Sequence, residues 1–281
     1  MSEYQKCPCP IAKIERLLLS TDGSEYCEGA VTEAVNLAKA CGSKLYAVSV
    51  IETNPELMAI APGVVEKMEK KTREHLEMIK SNASKEGVDC EIIARQGEYP
   101  HEYIADEAAK NKIGMIVMGR RGRTGLTRVM MGSVTAKVIG HTLCRVLLVP
   151  KDVKLAFEKI LIATDGSMHS DFAAQEAVDI AKRCGSTLIV LSVAKKDENL
   201  TAAKEYVDMV KKVAEKEDIK VETLIRQGVP HEVIVNTAAQ EDVGLIVVGS
   251  HGRTGLTKLL MGSVTERVIG HARCPILVWK L

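Results

Sequence analysis

The same glycine-rich phrase occurs twice in this chain, and each copy predicts a strand, a loop and a helix start. GRRGRTGLTRVMMGSVT begins at Gly119, and GSHGRTGLTKLLMGSVT begins at Gly249. In each copy two residues separate the first glycine from the second, and nine residues separate the second glycine from the Gly-Ser pair. Such a loop lets amide N–H groups converge at a helix N-terminus, where the helix dipole favours an anion. The chain is therefore expected to carry two phosphate-binding loops.

The two phrases belong to an internal duplication. Asp22-Gly23-Ser24 recurs as Asp165-Gly166-Ser167, 143 positions later, whereas the glycine phrases lie 130 positions apart. The second copy therefore lacks about a dozen residues, near ETNPELMAIAPGV, where loops tolerate changes in length. We expect two domains, residues 1–152 and 153–281, joined by a linker over Pro150–Phe157.

Within each copy, short apolar runs alternate with amphipathic stretches. The first copy reads as strands RLLLS, KLYAVSVI, CEIIAR, MIVMG and RVLLV with four helices between them. This alternation predicts an α/β fold with a doubly wound, five-stranded parallel sheet in each half. The Asp-Gly-Ser segment follows strand one and the glycine phrase follows strand four. They can meet only if those strands are neighbours, which favours strand order 3-2-1-4-5 over the flavodoxin-like order 2-1-3-4-5.

Composition excludes several classes of function. A net charge of +1 and an aromatic content of 3% predict no nucleic-acid partner, because basic patches and stacking platforms are missing. The apolar runs are strand-sized and the start MSEYQKCPCP lacks a signal-peptide core, so we expect no membrane partner and a cytoplasmic location. In that compartment the eight cysteines are expected to be free thiols.

Two cysteine patterns have competing interpretations. Cys7-Pro8-Cys9 could be half of a metal site, but no second pair at zinc spacing accompanies it, so a reactive or incidental tail is preferred. The other pattern is read as small apolar residues buried at equivalent helix ends, and its members are Cys41, Cys144, Cys184 and Cys274. No residue is proposed as a metal ligand.

The motifs together resemble the universal stress protein family. The resemblance rests on LLLSTDGS, on QGEYPHEYI and QGVPHEVI, and on the glycine phrases that lead to CRVLLV and CPILV. It covers nearly the whole chain as two tandem copies and implies an adenine nucleotide hydrolase-like fold. Because both glycine phrases are intact, it also implies the nucleotide-binding branch, with ATP or AMP in each half. Whether Mg²⁺ binds together with ATP is left open.

The resemblance assigns roles to matching residues in both halves. It implies that the aspartates lie near adenine and ribose, that the valine backbones read the adenine edge, and that the first glycines lie under the ribose. The remaining glycines and the serines would surround the phosphates, with the arginines as phosphate partners or solvated side chains. The residues of the first half are Asp22, Val50, Gly119, Gly122, Arg123, Gly132 and Ser133. Those of the second half are Asp165, Val193, Gly249, Gly252, Arg253, Gly262 and Ser263.

Structural alternatives remain open for these residues. The glycines could serve only tight turns, and the two aspartates could be N-caps of the helices that follow them. Ser263 and Glu266 have the spacing of a capping box that the first copy lacks, since Ala136 takes the place of the glutamate. With Arg120-Arg121 replaced by Ser250-His251 in the second copy, we expect the first site to prefer the more highly charged nucleotide.

The preferred function is a nucleotide-responsive binding or signalling module without catalytic residues. The alternatives are a slow ATP hydrolase and a nucleotide-free interaction scaffold. The SGGxDS loop of ATP pyrophosphatases is replaced by STDGSEY and ATDGSMH, and no general base is common to both phrases. The apolar last strands, RVLLVP and CPILVWK, are expected to pair as open edges and form an internal pseudo-dimer, with a homodimer as a further option.

Overall fold

A computed structural model describes residues 7, 9–12, 14–122, 131–253 and 261–280. Ten strands are numbered in chain order: β1 Arg16–Ser20, β2 Lys44–Glu52, β3 Cys90–Gly97, β4 Met115–Gly119, β5 Arg145–Val149, β6 Lys159–Ala163, β7 Thr187–Ala194, β8 Val221–Gln227, β9 Leu245–Gly249 and β10 Ile276–Trp279. The α-helices of the described residues are α1 Glu28–Cys41, α2 Pro55–Ile60, α3 Pro62–Lys85, α4 Pro100–Lys110, α5 Ser133–His141, α6 Met168–Cys184, α7 Leu200–Lys216, α8 Pro230–Gln240 and α9 Ser263–His271.

All ten strands form one sheet. Its order is β3-β2-β1-β4-β5-β10-β9-β6-β7-β8, so each half has the predicted order 3-2-1-4-5. Strand pairing within each half is parallel, whereas β5 and β10 pair antiparallel, with Leu147 opposite Leu277. The predicted pairing of the two last strands is therefore present inside the chain, where it removes both apolar edges from solvent.

Apolar residues on both faces of the sheet form the core. In β1, Leu17 and Leu19 belong to one apolar cluster, whereas Leu18 belongs to the cluster on the opposite face. This follows from the alternation of side chains along a strand. Each cluster includes residues of both halves, so the core continues across the β5–β10 junction.

The segment absent from the second half contains a helix. The sequence suggested a loop there, but α2 occupies Pro55–Ile60, and Pro62 then begins α3 at a position where proline needs no amide hydrogen. Helices α1 and α6 both end at glycines in the left-handed conformation, with φ of 63° at Gly42 and 66° at Gly185.

Polar contacts across the junction join each half to the end of a helix in the other. Arg120 Nη1 donates to the carbonyls of Ile269 and Ala272 at the end of α9, and Lys280 Nζ donates to Gly140 O in α5 at 2.6 Å. Both cations lie where a helix dipole is negative. The expectation that Arg120 contributes to the first phosphate site is therefore wrong, since its side chain is used between the halves.

The expectation that all cysteines are free thiols is also wrong. Cys7 and Cys184 form a disulfide that links residues 177 positions apart. Cys184 is accordingly not a buried apolar filler, and Cys41, Cys144 and Cys274 are only partly buried. Across the described part of the chain, no helix has the length and apolarity that crossing a membrane requires.

Candidate functional site

In the first half, the Asp-Gly-Ser turn and the glycine loop meet at the carboxyl ends of β1 and β4. Asp22 Oδ1 accepts hydrogen bonds from Ser24 N at 2.9 Å and Ser24 Oγ at 2.6 Å. Gly23 has a φ of 73°, which a residue with a side chain rarely adopts. A methyl group on Gly122 would lie 2.8 Å from Asp22 Oδ2, so the loop approaches the carboxylate only because residue 122 is glycine.

The second half repeats this contact and adds a hydrogen bond. Asp165 Oδ1 accepts from Ser167 N at 3.1 Å, and Asp165 Oδ2 accepts from Arg253 N at 3.0 Å. A methyl group on Gly252 would lie 2.5 Å from the same Oδ2 atom. The aspartate of strand one is therefore a direct partner of the glycine loop after strand four.

Neither aspartate caps a helix. In α6 the N-cap is Ser167, whose Oγ accepts from Ser170 N at 3.3 Å. In the first half, Asp22 precedes a 3₁₀ turn over Glu25–Cys27, and the Cys27 thiol donates to Asp22 Oδ1 at 3.2 Å. Burial and then the Asp22 charge raise the pKa of Cys27 to about 11, which keeps this thiol protonated as a donor.

In each half, the glycine before the terminal serine is the N-cap of a helix. Gly132 is the N-cap of α5 and Gly262 is the N-cap of α9. Because glycine has no side-chain oxygen, it supplies no cap to the first N–H groups of these helices. The predicted capping box is wrong, since Ser263 is the first helical residue and not the N-cap.

Hydrogen bonds hold these helix starts beside the ends of the fourth strands. Thr135 Oγ1 donates to Gly119 O at 3.3 Å, and Thr265 Oγ1 donates to Gly249 O at 2.8 Å. Gly132 N also donates to Arg120 O at 3.0 Å. The helix N-terminus and the strand end are thus joined around the loop in both halves.

Helix packing explains why the first glycine of each phrase lacks a side chain. A methyl group on Gly119 would lie 2.9 Å from Tyr26 O, and one on Gly249 would lie 2.7 Å from His169 O. The segment after strand one therefore packs directly on the end of strand four. At Gly119 and Gly249, this close packing is sufficient to explain why the residue is glycine, and no ligand is needed to explain it.

The second strands extend beyond the ends of the first strands and leave backbone groups there. Thr21 N donates to Val48 O at 3.0 Å, so the groups of Val48 face the β1 side of β2. Hydrogen-bonding groups alternate along a strand, so the N–H and C=O of Val50 face the same side, beyond the end of β1. Thr164 N likewise donates to Leu191 O at 2.9 Å, which places the groups of Val193 in the same way.

A cavity of about 330 Å³ lies beside Asp22 in the first half. Its volume is within the range of small-molecule sites. His75 Nε2 lies 3.1 Å from Thr21 Oγ1, and the full lining comprises Asp22, Gly23, Ser49, Met68, Lys71, Thr72 and His75. Lys71 and His75 were not among the residues predicted from the sequence, because they lie on a helix rich in charged residues.

An aromatic ring lies at the corresponding place in the second half. The buried stripe of α3 ends at Leu76, Ile79 and Ala83, and that of α7 ends at Val207, Val210 and Ala214. The common offset of 131 positions makes Tyr206 the counterpart of His75 and Ala202 the counterpart of Lys71. This offset was the signal in the sequence that would have revealed both differences.

Tyr206 closes over the Asp-Gly-Ser turn. A methyl group on Gly166, which has a φ of 70°, would collide with the Tyr206 ring. Arg253 Nη1 donates to Tyr206 Oη at 2.6 Å, and its guanidinium lies 5.6 Å from the ring centroid. Arg123, the matching candidate of the first half, lies outside the described residues.

Of the residues predicted for the first half, Asp22 lines the cavity and Gly122 lies against its carboxylate. Gly252 lies against Asp165 in the same way in the second half. Ser133 and Ser263 are the first residues of α5 and α9, after the N-caps Gly132 and Gly262. Among the residues that the structure describes, no group of three or more histidine, cysteine, aspartate and glutamate side chains is arranged to hold a metal ion.

Several known proteins are similar to this chain in sequence or in fold. A universal stress protein of Methanocaldococcus jannaschii is 38% identical over 144 residues, which cover 44% of this chain and 82% of that protein. One of Mycobacterium tuberculosis is 30% identical over 188 residues, which cover 60% of this chain and 62% of that protein. The structure of a universal stress protein from Archaeoglobus fulgidus has the same fold, with a TM-score of 0.78 and 24% identity over 95% of this chain and 99% of that one.

Sequence matches locate the family twice along the chain. Residues 13–150 and residues 156–280 both match the Universal stress protein family. These segments span most of the length, and each contains five strands of the sheet in the order 3-2-1-4-5. The chain is therefore a member of the universal stress protein family, with two copies of the family domain in tandem.

Proposed function

We propose that the protein binds adenine nucleotides, ATP or AMP, at one site in each half and acts as a nucleotide-responsive binding module. The boundary between the halves is placed between residues 152 and 153. The observation that carries the proposal is the contact between the strand-one aspartate and the loop glycine, next to an uncapped helix N-terminus. It occurs at Asp22 with Gly122 and again at Asp165 with Gly252.

The chemistry of the cleft suits the parts of a nucleotide. Backbone groups of Val50 and Val193 can pair with the adenine edge, and the carboxylates of Asp22 and Asp165 can accept from the ribose or hold Mg²⁺ beside the phosphates. The first N–H groups of α5 and α9 can donate to phosphate oxygens. Adenine nucleotide is preferred over other phosphate esters because both glycine phrases are intact. An intact phrase is what the resemblance associates with the branch of the family that binds ATP or AMP.

The proposal is binding without turnover. His75 lies near Asp22 in the first half, but Tyr206 takes its place in the second, so the two sites do not share this histidine. The glycine phrases themselves contain no general base common to both copies. A nucleotide that changes the shape of the glycine loops could then alter the choice of a protein partner.

We propose further that the two sites differ in nucleotide preference. Lys71 and His75 line the first cavity, whereas the second half has Ala202 and a tyrosine at these positions. Glu266 lies in the first turn of α9, close to the proposed second phosphate site, where the first half has Ala136. The first site is therefore expected to prefer ATP over AMP more strongly than the second.

The first experiment is to denature freshly purified protein and identify any released nucleotide by chromatography and mass. We expect up to two equivalents of ATP or AMP per chain, and ADP accumulation in a time course would instead favour the slow hydrolase. Absence of nucleotide, together with no heat of binding on adding Mg-ATP, would reject the proposal in favour of the scaffold.

Single-site variants separate the two sites. Ser133→Glu and Ser263→Glu place a carboxylate at exposed first helical positions, where the helix dipole tolerates it but a phosphate would be repelled. Each is expected to abolish one of two binding events in calorimetry, while Ser133→Ala and Ser263→Ala retain both. Equal ratios of ATP to AMP affinity in the two Glu variants would contradict the proposed difference between the sites.

A further inference from the structure

Four cysteines lie together where the N-terminal segment crosses the ends of two equivalent helices. Cys41 is the last residue of α1 and Cys184 is the last residue of α6. Cys7 is bonded to Cys184, and Cys9 Sγ lies 2.6 Å from Cys41 Sγ. Because two residues of chain span at most about 7 Å, both pairs occupy one small region.

The described residues that precede β1 pack against the rest of the molecule. Cys7, Ile11 and Ile14 are buried, and the latter two belong to the core cluster that both halves share. The interpretation of Cys7-Pro8-Cys9 as an incidental tail is therefore wrong. The two cysteines also precede residue 13, where the first match to the family begins, so they are an addition to the family domain.

The second pair is positioned for oxidation. A distance of 2.6 Å is closer than unbonded sulfur atoms pack and not far from the disulfide bond length of about 2.05 Å. Cys9 and Cys41 are both partly exposed, whereas Cys27 and Cys90 are buried. An oxidant in solution can therefore reach the pair.

We propose that Cys9 and Cys41 are an oxidation site, and that their disulfide joins the Cys7–Cys184 bond to form a clasp that ties the N-terminal segment covalently to both halves. The oxidant is a low-molecular-weight disulfide such as oxidised glutathione. The reduced state retains the Cys7–Cys184 bond alone.

The chemistry is two successive thiol–disulfide exchanges. The Cys9 thiolate attacks one sulfur of the oxidant, forming a mixed disulfide and releasing one thiolate. Cys41 sulfur then bonds to Cys9 sulfur, its proton passes to solvent, and the second glutathione sulfur leaves as thiolate. In total the cysteine pair loses two electrons and two protons, and the oxidant becomes two thiols.

Electrostatics assigns the attack to Cys9. Burial and then the hydrogen bond with Cys9 raise the pKa of Cys41 to about 12, so Cys41 remains a thiol at neutral pH. The charge of Arg183, at the end of α6, acts on the pKa of Cys41 in the opposite direction. Cys41 is thus the sulfur that resolves the mixed disulfide.

The test is a thiol count and a peptide map of the full-length protein, without and with oxidised glutathione. Under denaturing conditions the count is expected to fall from six to four, since six cysteines are free in the structure. A non-reduced tryptic digest should then contain one species of three peptides, residues 7–13, 40–44 and 184–195. An unchanged count of six, with Cys9 and Cys41 alkylated, would overturn the proposal.

Two variants test the pairing. In Cys9→Ser the peptide 7–13 is expected to stay joined to 184–195 alone, whereas joining to 40–44 would overturn the assignment. In the control Cys144→Ser the three-peptide species should form as in the wild type. If Cys9→Ser does not fold, Cys41→Ala gives the same readout on the other sulfur.

Metal analysis and unfolding complete the test. About one zinc ion per chain, with Cys7, Cys9, Cys41 and Cys184 all reduced and alkylated only after chelation, would identify a metal site and overturn the clasp. Otherwise oxidation is expected to raise the urea midpoint of the wild type but not of Cys9→Ser, because a second cross-link restricts the unfolded chain.

Discussion

At the scale of single residues, the site depends on contacts so close that only glycine permits them. Gly122 and Gly252 lie against carboxylate oxygens, whereas Gly119 and Gly249 lie against the backbone of the preceding segment. Glycine is thus required at these two positions of the repeated motif for two different physical reasons. Only the contact with the aspartates bears directly on a ligand.

Gly252→Ala is expected to weaken nucleotide binding at the second site by about tenfold or more, since a loss of about 1.4 kcal/mol suffices. The added methyl group would lie 2.5 Å from Asp165 Oδ2 and would displace the loop. Strain of this kind should also lower the free energy of unfolding by about 1–3 kcal/mol. Calorimetry and urea denaturation measure the two effects.

Gly63→Ala is the matched control. A methyl group at Gly63 meets no atom within 4 Å, so nucleotide binding should be unchanged and stability unchanged or raised by up to about 1 kcal/mol. Wild-type affinity in Gly252→Ala would show that the contact with Asp165 does not shape the site.

Acid is expected to destabilise the protein through His101. Burial is the main cause that lowers the pKa of His101, followed by the charges of Lys137 and His141, while Glu102 acts in the opposite direction. Because the folded pKa lies below the unfolded value of about 6.5, the unfolded chain binds the proton more readily. The free energy of unfolding should therefore fall as pH decreases below about 6.5, by at most about 1.4 kcal/mol per pH unit for this group.

Urea midpoints at pH 7.5, 6.5 and 5.5 measure this effect. The slope should decrease in His101→Gln and decrease further when His231→Gln is added, because burial also lowers the pKa of His231. Parallel pH profiles for the wild type and the double variant would exclude both histidines as the cause.

At the scale of secondary-structure elements, the ends of helices and strands carry the contacts between the halves. Arg120 reaches the end of α9, and Lys280 reaches Gly140 in α5. An ion pair joins β5 to α6, with Arg145 Nη1 2.6 Å from Glu176 Oε1 and both side chains less than a fifth exposed. The same carboxylate accepts from Trp279 Nε1 at 3.3 Å.

Arg145→Met is expected to lower the free energy of unfolding by roughly 2–4 kcal/mol, because it leaves the partly buried Glu176 carboxylate without its cation. Glu176→Gln in the same chain should recover a large part of this loss, since the amide oxygen still accepts from Trp279. The four members of this double-mutant cycle are compared by urea denaturation. Additive effects of the two substitutions would show that the pair is not coupled.

At the scale of the whole molecule, one sheet and two continuous apolar clusters unite both halves. We expect the halves to unfold in a single transition. Trp279 is the only tryptophan, and it stacks on Phe172 with ring centroids 5.1 Å apart at the junction between the halves. Its fluorescence should therefore change at the same urea concentration as the far-ultraviolet circular dichroism, which reports both halves.

Two separate transitions, or a fluorescence midpoint below the dichroism midpoint, would show that the junction opens before the sheets unfold. The measurement should be made with the Cys7–Cys184 bond intact and again after its reduction. Coincident midpoints in both states would locate the cooperativity in the sheet and not in the covalent link.

Local patterns were enough to predict the elements of each half. The segments RLLLS, MIVMG and RVLLV coincide with β1, β4 and β5, because apolar runs of this length are buried on both sides of a parallel sheet. The strand order followed from the requirement that the Asp-Gly-Ser and glycine segments meet. The prediction of a capping box was wrong, because the choice between Gly262 and Ser263 as N-cap depends on backbone conformation.

By itself the sequence determined the duplication, the α/β class, the strand order and the meeting of each strand-one aspartate with its glycine loop. The elements follow from local hydrophobic periodicity, and the duplication follows from motifs that recur at a nearly constant offset. Only the tertiary structure decided that Arg120 serves the other half, that Cys7 bonds Cys184, and that the Tyr206 ring packs on Gly166 of the second Asp-Gly-Ser turn. Each of these depends on chain segments distant in sequence that packing brings together, so no local pattern carries it.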